Sequence, residues 1–226
     1  MSVENQDHLE PIRQAVLQAA LPHVPFDGWT DGLFVLAAEE LNEDAAMLRL
    51  AFPSGAMDLI EYHSRDADRR MIEALARVDP VDMSIRARIA SAIRTRLELL
   101  EKEKEAVRRA VAYEAIPVHS PSGVKLAAET CDLIWRWAGD RSNDYNFYTK
   151  RLMLGGVYGS VLLFWLGDAS EGHSETWGFL DRRIENVMQV EKAKAQIISV
   201  AENLPSPAKL LGRLRYGALP KGRKPF

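Results

Sequence analysis

The chain has 226 residues, 47% of them hydrophobic and 27% charged, with a formal net charge of -3. That length holds one large domain or two unequal ones around a sizeable core, and the charge argues against a general nucleic-acid binder. Its single cysteine, Cys131, excludes an intramolecular disulfide and suits a reducing compartment. Met1 to Pro11 carries Glu4, Asp7 and Glu10 and no apolar run or Arg-rich face, so it reads as neither signal peptide nor presequence. A processed mature chain and a bacterial protein both fit that reading.

The apolar spacing is helical almost throughout, and no strand pattern stands out. A first helix is expected from about Pro11 to Pro22, with Ile12, Ala15, Val16 and Ala19 on one face. After Asp27-Gly28-Trp29-Thr30, a second carries Leu33, Leu36, Ala37 and Leu41. Asn42 reads as the cap of a short third helix, Glu43 to Phe52, which Pro53 ends. Ser54 reads as the cap of a long fourth, with Leu59, Ile60, Met71 and Leu75. Asp79-Pro80 then opens a helix striped by Ile85, Ile89, Ile93, Leu97 and Leu100. The charged run Glu101 to Glu105 at its end reads as a solvated face with i, i+4 pairs.

Pro117 and Pro121 break the chain before a helix that Ser120-Pro121 starts and that passes Trp135 and Trp137 to stop at Gly139. Asp140 to Asn146 is a polar turn. The longest uncharged run follows, the 16 residues Leu152 to Gly167. As a helix it reaches about 24 Å, short of the roughly 30 Å of a bilayer core, so it reads as a buried helix rather than a span. Another helix covers about Glu175 to Gln189. The expected architecture is all-α, with a helix-turn-helix-like head at 1–53, a helical body at 54–190 and a C-terminal segment of different character at 191–226. Three short helices followed by longer ones resemble the tetracycline-repressor superfamily.

Catalytic chemistry is not evident. The histidines are scattered, with no H-x-x-x-H or E-x-x-H pair for zinc or di-iron. There is no phosphate loop, dinucleotide fingerprint or nucleophile elbow. Gly155 and Gly159 lie within an apolar helix, where small residues permit close approach of another helix, as in a dimer. The expectation is a non-enzyme without metal or cofactor.

The stretch Asp132-Leu133-Ile134-Trp135-Arg136-Trp137-Ala138-Gly139-Asp140-Arg141-Ser142-Asn143-Asp144-Tyr145-Asn146-Phe147-Tyr148-Thr149-Lys150-Arg151 is compositionally unusual. It resembles the signature of the coenzyme Q biosynthesis lipid-binding family, the ninth of the yeast coenzyme Q proteins, W-x-x-A-G-D followed by S-x-D-Y-N-[WF]-Y-T-K-R. Thr176-Trp177-Gly178-Phe179-Leu180-Asp181-Arg182-Arg183-Ile184 resembles its T-W-x-F-L-x-x-R-[IV] segment, and Gly28-Trp29-Thr30 its G-W-T. Phe147 departs from the Trp of many relatives but stays aromatic. The resemblance covers about residues 9 to 190. It implies a tetracycline-repressor-like fold, a homodimer formed largely by the last two body helices and a lipid cavity. It also implies a partner, the di-iron hydroxylase acting late in ubiquinone synthesis.

Trp135 and Trp137 diverge by about 200° on a helix, so they cannot both face one core. With Ile134, Asp144, Phe147 and Tyr148, Trp135 is a candidate anchor for the hydroxylase, core packing being the alternative. Leu152, Leu154, Val157, Tyr158, Val161 and Phe164 occupy more circumference than one core face needs. They line either a cavity for an isoprenoid quinone precursor or phospholipid, or a dimer contact. A DNA-reading third helix would open on Glu43 and Asp44 with only Arg49 basic, so no DNA is expected, and a ligand-responsive transcriptional regulator is the alternative function.

Ala193, Ile197, Val200, Ala201 and Leu204 share one helical face. The resemblance implies an amphipathic C-terminal helix that contacts the membrane, from which Pro205 and Pro207 depart by breaking it. Beyond lie Lys209, Leu210, Leu211, Arg213, Leu214 and Arg215, a mixture suited to an anionic membrane surface, a disordered or RNA-contacting tail being the alternative. The expected function is a non-catalytic carrier that presents a ubiquinone precursor to a membrane-associated hydroxylase. Its expected place is the cytoplasm, peripheral to the inner membrane, in a bacterium, or the mitochondrial matrix side for a processed eukaryotic chain.

Overall fold

Helix α1 (Glu10–Ala20) starts the head by burying Val16, Leu17, Ala19 and Ala20, a spacing that repeats each helical turn. The computed structural model describes residues 9–140 and 145–203, with residues 145–148, 188 and 190–203 described by their backbone alone. Among them are ten α-helices and no strand. A short α2 (Val24–Asp27), which the sequence pattern hides, precedes α3 (Leu33–Leu41), α4 (Ala45–Leu50) and α5 (Ala56–Leu75). The body continues with α6 (Ile85–Leu99), α7 (Lys104–Glu114), α8 (Ser120–Trp137), α9 (Tyr145–Gly167) and α10 (Ser174–Asn203). Two compact units divide after Ile184.

Four boundaries differ from the expectation, each for a local reason. Asn42 ends α3 in the left-handed region (φ 53°), which Asn tolerates, instead of capping α4. Asp44 is the cap, its Oδ1 accepting from the Ala46 N–H at 2.8 Å. Ser54 does not cap α5. Gly55 stands there at φ 64°, and Asp31 Oδ1 accepts the Ala56 N–H at 3.1 Å. A Cβ at Gly55 would lie 2.3 Å from that same oxygen, so glycine is required twice over. Asp79-Pro80 forms a turn closed by Val81 N–H to Asp79 (3.0 Å), and the helix waits for Ser84, which accepts from Ala87 N–H at 3.2 Å. The charged run is not one helix face: Glu101–Glu103 is a 3-10 turn separating α6 from α7.

Trp29 explains much of the head's seating. Its indole donates to the Ala106 carbonyl of α7 at 2.9 Å, and Arg109 donates to the Pro25 carbonyl at 2.6 Å. One buried cluster therefore joins Leu17, Leu33, Phe34 and Phe52 of the head to Leu59 and Ile60 of α5 and Ala106 of α7. Behind it, α5, α6, α8 and α9 pack around Met71, Leu75, Ile93, Leu97, Ile134 and Trp165, each under 2% exposed. Burial of that set is the main source of stability.

Candidate functional site

Helix α9 has two unlike faces. Leu154, Val157, Tyr158, Val161 and Trp165 recur at three- and four-residue steps and are buried against the body. Leu152 (79% exposed) and Leu163 (60%) point outward, and Phe164 stacks on Phe179 of α10 with centroids 4.5 Å apart. A Cβ built at Gly155, Gly156 or Gly159 would meet nothing within 4 Å, so packing among the described residues does not require these glycines.

On the buried side lies a cavity of about 80 Å³, walled by Ile60, Leu100, Val107, Leu126 and Leu162. Tyr158 is the expected lipid-contacting residue that lines it; Leu162, not singled out from the sequence, lines it too. Ligand pockets are typically about 300–1,000 Å³ and a water occupies roughly 30 Å³, so the space suits two or three waters, not a polyprenyl chain. A lipid needs the helices around it to part.

The cavity's polar end is a knot of four helices that the sequence did not reveal. Arg96 of α6 donates from Nε to Asp68 Oδ1 of α5 at 2.7 Å and from Nη1 to the Tyr158 hydroxyl of α9 at 2.6 Å. Its Nη2 donates to the Ser64 carbonyl and hydroxyl at 3.2 and 3.1 Å. Thr130 of α8 donates to Asp68 at 2.9 Å. Arg96, Asp68, Tyr158 and Thr130 are each under 5% exposed, so each charge or hydroxyl depends on these partners. Burial pushes the Tyr158 phenol up to about 12 and the adjacent Cys131 thiol up to about 12, which leaves the thiol protonated and a poor nucleophile. Burial also raises the Glu114 carboxyl, on the cavity lining, with Glu61 reinforcing it.

The unusual signature closes the corner between α8 and α9. The Trp135 indole donates to the Lys150 carbonyl at 3.1 Å, and the Lys150 ammonium lies 5.6 Å from that ring's centroid. Lys150 also reaches Asp140 at 2.7 Å, while Arg151 contacts Asp140 at 3.4 Å and Asp132 at 2.6 Å. Ile134, expected on a partner-binding surface, is instead fully buried, because it falls on the core face of α8. Trp135 is half-buried. Asp144, the side chains of Phe147 and Tyr148, and those of Ile197 and Val200 lie outside the described residues, as do Leu204, Lys209, Leu210, Leu211, Arg213, Leu214 and Arg215.

The second signature segment is a helix start. Asp168 accepts from the Thr176 N–H at 3.0 Å, the Thr176 hydroxyl at 2.5 Å and the Ser170 N–H at 2.7 Å. Those bonds outweigh burial and hold its carboxyl well below the ordinary range. Trp177 donates to the Gly172 carbonyl at 2.8 Å.

Residues 120–191, which contain both segments, match the COQ9 family model. The mitochondrial ubiquinone biosynthesis protein COQ9 of Drosophila melanogaster is 31% identical over 200 residues, 84% of this chain. That of Rattus norvegicus is 30% identical over 208 residues, 89% of this chain. The chain belongs to the COQ9 family. It spans 60% and 66% of the length of those two relatives. The fold is that of tetracycline-repressor-type proteins: a TetR transcriptional regulator from Nitrosomonas europaea superposes with a TM-score of 0.64 at 21% identity, covering 77% of this chain and 97% of that one. Among the described residues of this COQ9-family chain, no helix is long and apolar enough to cross a membrane.

Proposed function

We propose that this chain serves ubiquinone biosynthesis as a non-catalytic carrier. In this reading it binds an isoprenoid quinone precursor, or a phospholipid in its place, and offers it to a membrane-associated di-iron hydroxylase. Similarity to the COQ9 relatives, each a ubiquinone biosynthesis protein, carries the pathway. The cavity behind α9, apolar on its walls and polar at one end, supports the binding role. Those relatives are mitochondrial, so the reading puts the chain beside an inner membrane, with its basic C-terminal residues on the anionic surface. Leu152, Leu163 and the glycines between them form an apolar outward stripe that suits a second copy of the chain. The head favours this over operator reading: α4 has six residues, and its one basic side chain, Arg49, is paired with Asp31 at 2.9 Å.

Lipid extracted from the purified protein is expected to contain an isoprenoid quinone or its precursor. Ala127 lines the cavity, so Ala127→Leu should grow into it and lower the co-purifying lipid several-fold while the melting temperature holds. Wild-type protein free of lipid from every host would overturn the carrier role. For the hydroxylase, Trp135→Ala is expected to weaken capture by about 2 kcal/mol. Equal loss of capture by Trp135→Ala and by a variant of the corner alone, Lys150→Met, would assign Trp135 to the corner instead.

A further inference from the structure

The corner between α7 and α8 is apolar, exposed and adjacent to the cavity. From Ala115 to Val124 ten consecutive residues include no Asp, Glu, Lys or Arg. Val118 is 77% exposed, Val124 70% and Ile116 49%. Scattered apolar side chains on a surface are ordinary, but three on one uncharged corner form a patch. The backbone there looks inward. Ile116, His119, Ser120 and Ser122 donate their N–H groups to carbonyls of Tyr113, Ile116, Ile116 and His119, and Pro117 and Pro121 have none to satisfy. Such a segment can leave water with few unpaired polar groups.

The cavity reaches this corner. Its lining includes Val111 and Glu114 from the last turn of α7 and Gly123 and Ala127 from the start of α8, all half-buried. Glu114 closes on Gly123 so tightly that a Cβ there would lie 3.0 Å from its Cβ and Oε2. At about 80 Å³ the cavity must widen to accept a lipid, and this contact between two helix ends lies on its lining, between the Glu114 side chain and Gly123.

We propose that the α7–α8 corner is the portal through which the body takes its ligand directly from a bilayer, Val118 and Val124 entering the acyl region. This rests on the carrier reading. The contact differs from the basic C-terminal one in kind. It depends on apolar burial, so it works on uncharged phosphatidylcholine and does not weaken with salt. Beside it, Lys125 and Arg65 both pair with Glu129, at 3.9 and 3.1 Å, and Arg65 also pairs with Glu61 at 2.9 Å, so carboxylates of the chain already offset these cations.

Because Cys131, the sole cysteine, is buried, a cysteine introduced at the corner is labelled selectively. A polarity-sensitive fluorophore on Val118→Cys should shift to the blue with phosphatidylcholine vesicles. Lipids brominated in the chain should quench it equally at low and high salt. The same label on Glu39→Cys, exposed on the head, should respond to neither. The pair Val118→Asp and Val124→Asp should slow lipid uptake about tenfold or more without changing the melting temperature. A chain that takes up lipid while the Val118 label stays unquenched keeps the carrier role and overturns the portal. A label that responds only to added hydroxylase makes the corner a protein contact, which also overturns it. A chain that takes up no lipid at all defeats both readings.

Discussion

Replacing Arg96 with Met is expected to destabilise the fold by about 3–5 kcal/mol in urea unfolding, which for a chain of this size lowers the melting temperature by roughly 6–20 °C. The reason is what stays behind. Asp68 is 3% exposed and would be left with only the Thr130 hydroxyl as a partner, while Ser64 and Tyr158 lose their donor. Removing one member of a buried pair strands the other; removing both is far milder. Asp68→Asn combined with Arg96→Met should therefore recover most of the loss, since Asn still accepts from Thr130. Arg96→Lys should fall between, because a single ammonium cannot reach three partners on two helices with the fork of a guanidinium. A single-mutant loss below about 1 kcal/mol would mean that water, not Arg96, satisfies Asp68.

This knot marks where sequence reading stopped. The helices were legible because apolar residues three and four apart declare a face, as Ile89, Ile93 and Leu97 do on α6. Arg96, one residue from Leu97, looks like any surface arginine in that pattern; that it meets Asp68, 28 residues away, and Tyr158, 62 away, depends on helix packing that periodicity does not encode. Boundaries failed for a related reason. Asn42 and Asp44 are both plausible caps, and only the left-handed turn at Asn42 decides between them. The motif from Asp132 to Arg151 was conspicuous, yet its types could not say whether they bind a partner or one another; Trp135, Asp140, Lys150 and Arg151 are seen to bind one another. Ile134 stands within the same motif as Trp135, yet its own position on α8 places it in the core.

Acid is expected to weaken the protein through the 3-10 turn Glu101–Glu103. Burial alone would raise the Glu103 carboxyl, but hydrogen bonds from His63 (2.7 Å) and Arg70 (2.9 and 3.0 Å) hold it at about 2, below its ordinary 4.5. A carboxyl depressed in the folded state favours folding above its unfolded value, and that contribution fades as pH falls through the folded one. The window is therefore about pH 5 down to 2, and Asp168, also depressed, acts in the same direction. Glu103→Gln keeps the shape and removes the charge. It should cost about 1.5–2 kcal/mol at neutral pH, the low end for bonds to charged groups because solvent reaches part of the side chain. Urea midpoints of wild type and Glu103→Gln should then converge as pH approaches 2. A gap that stays constant across that range would mean that packing of the turn against His63, rather than the carboxylate's charge, supplies the stability.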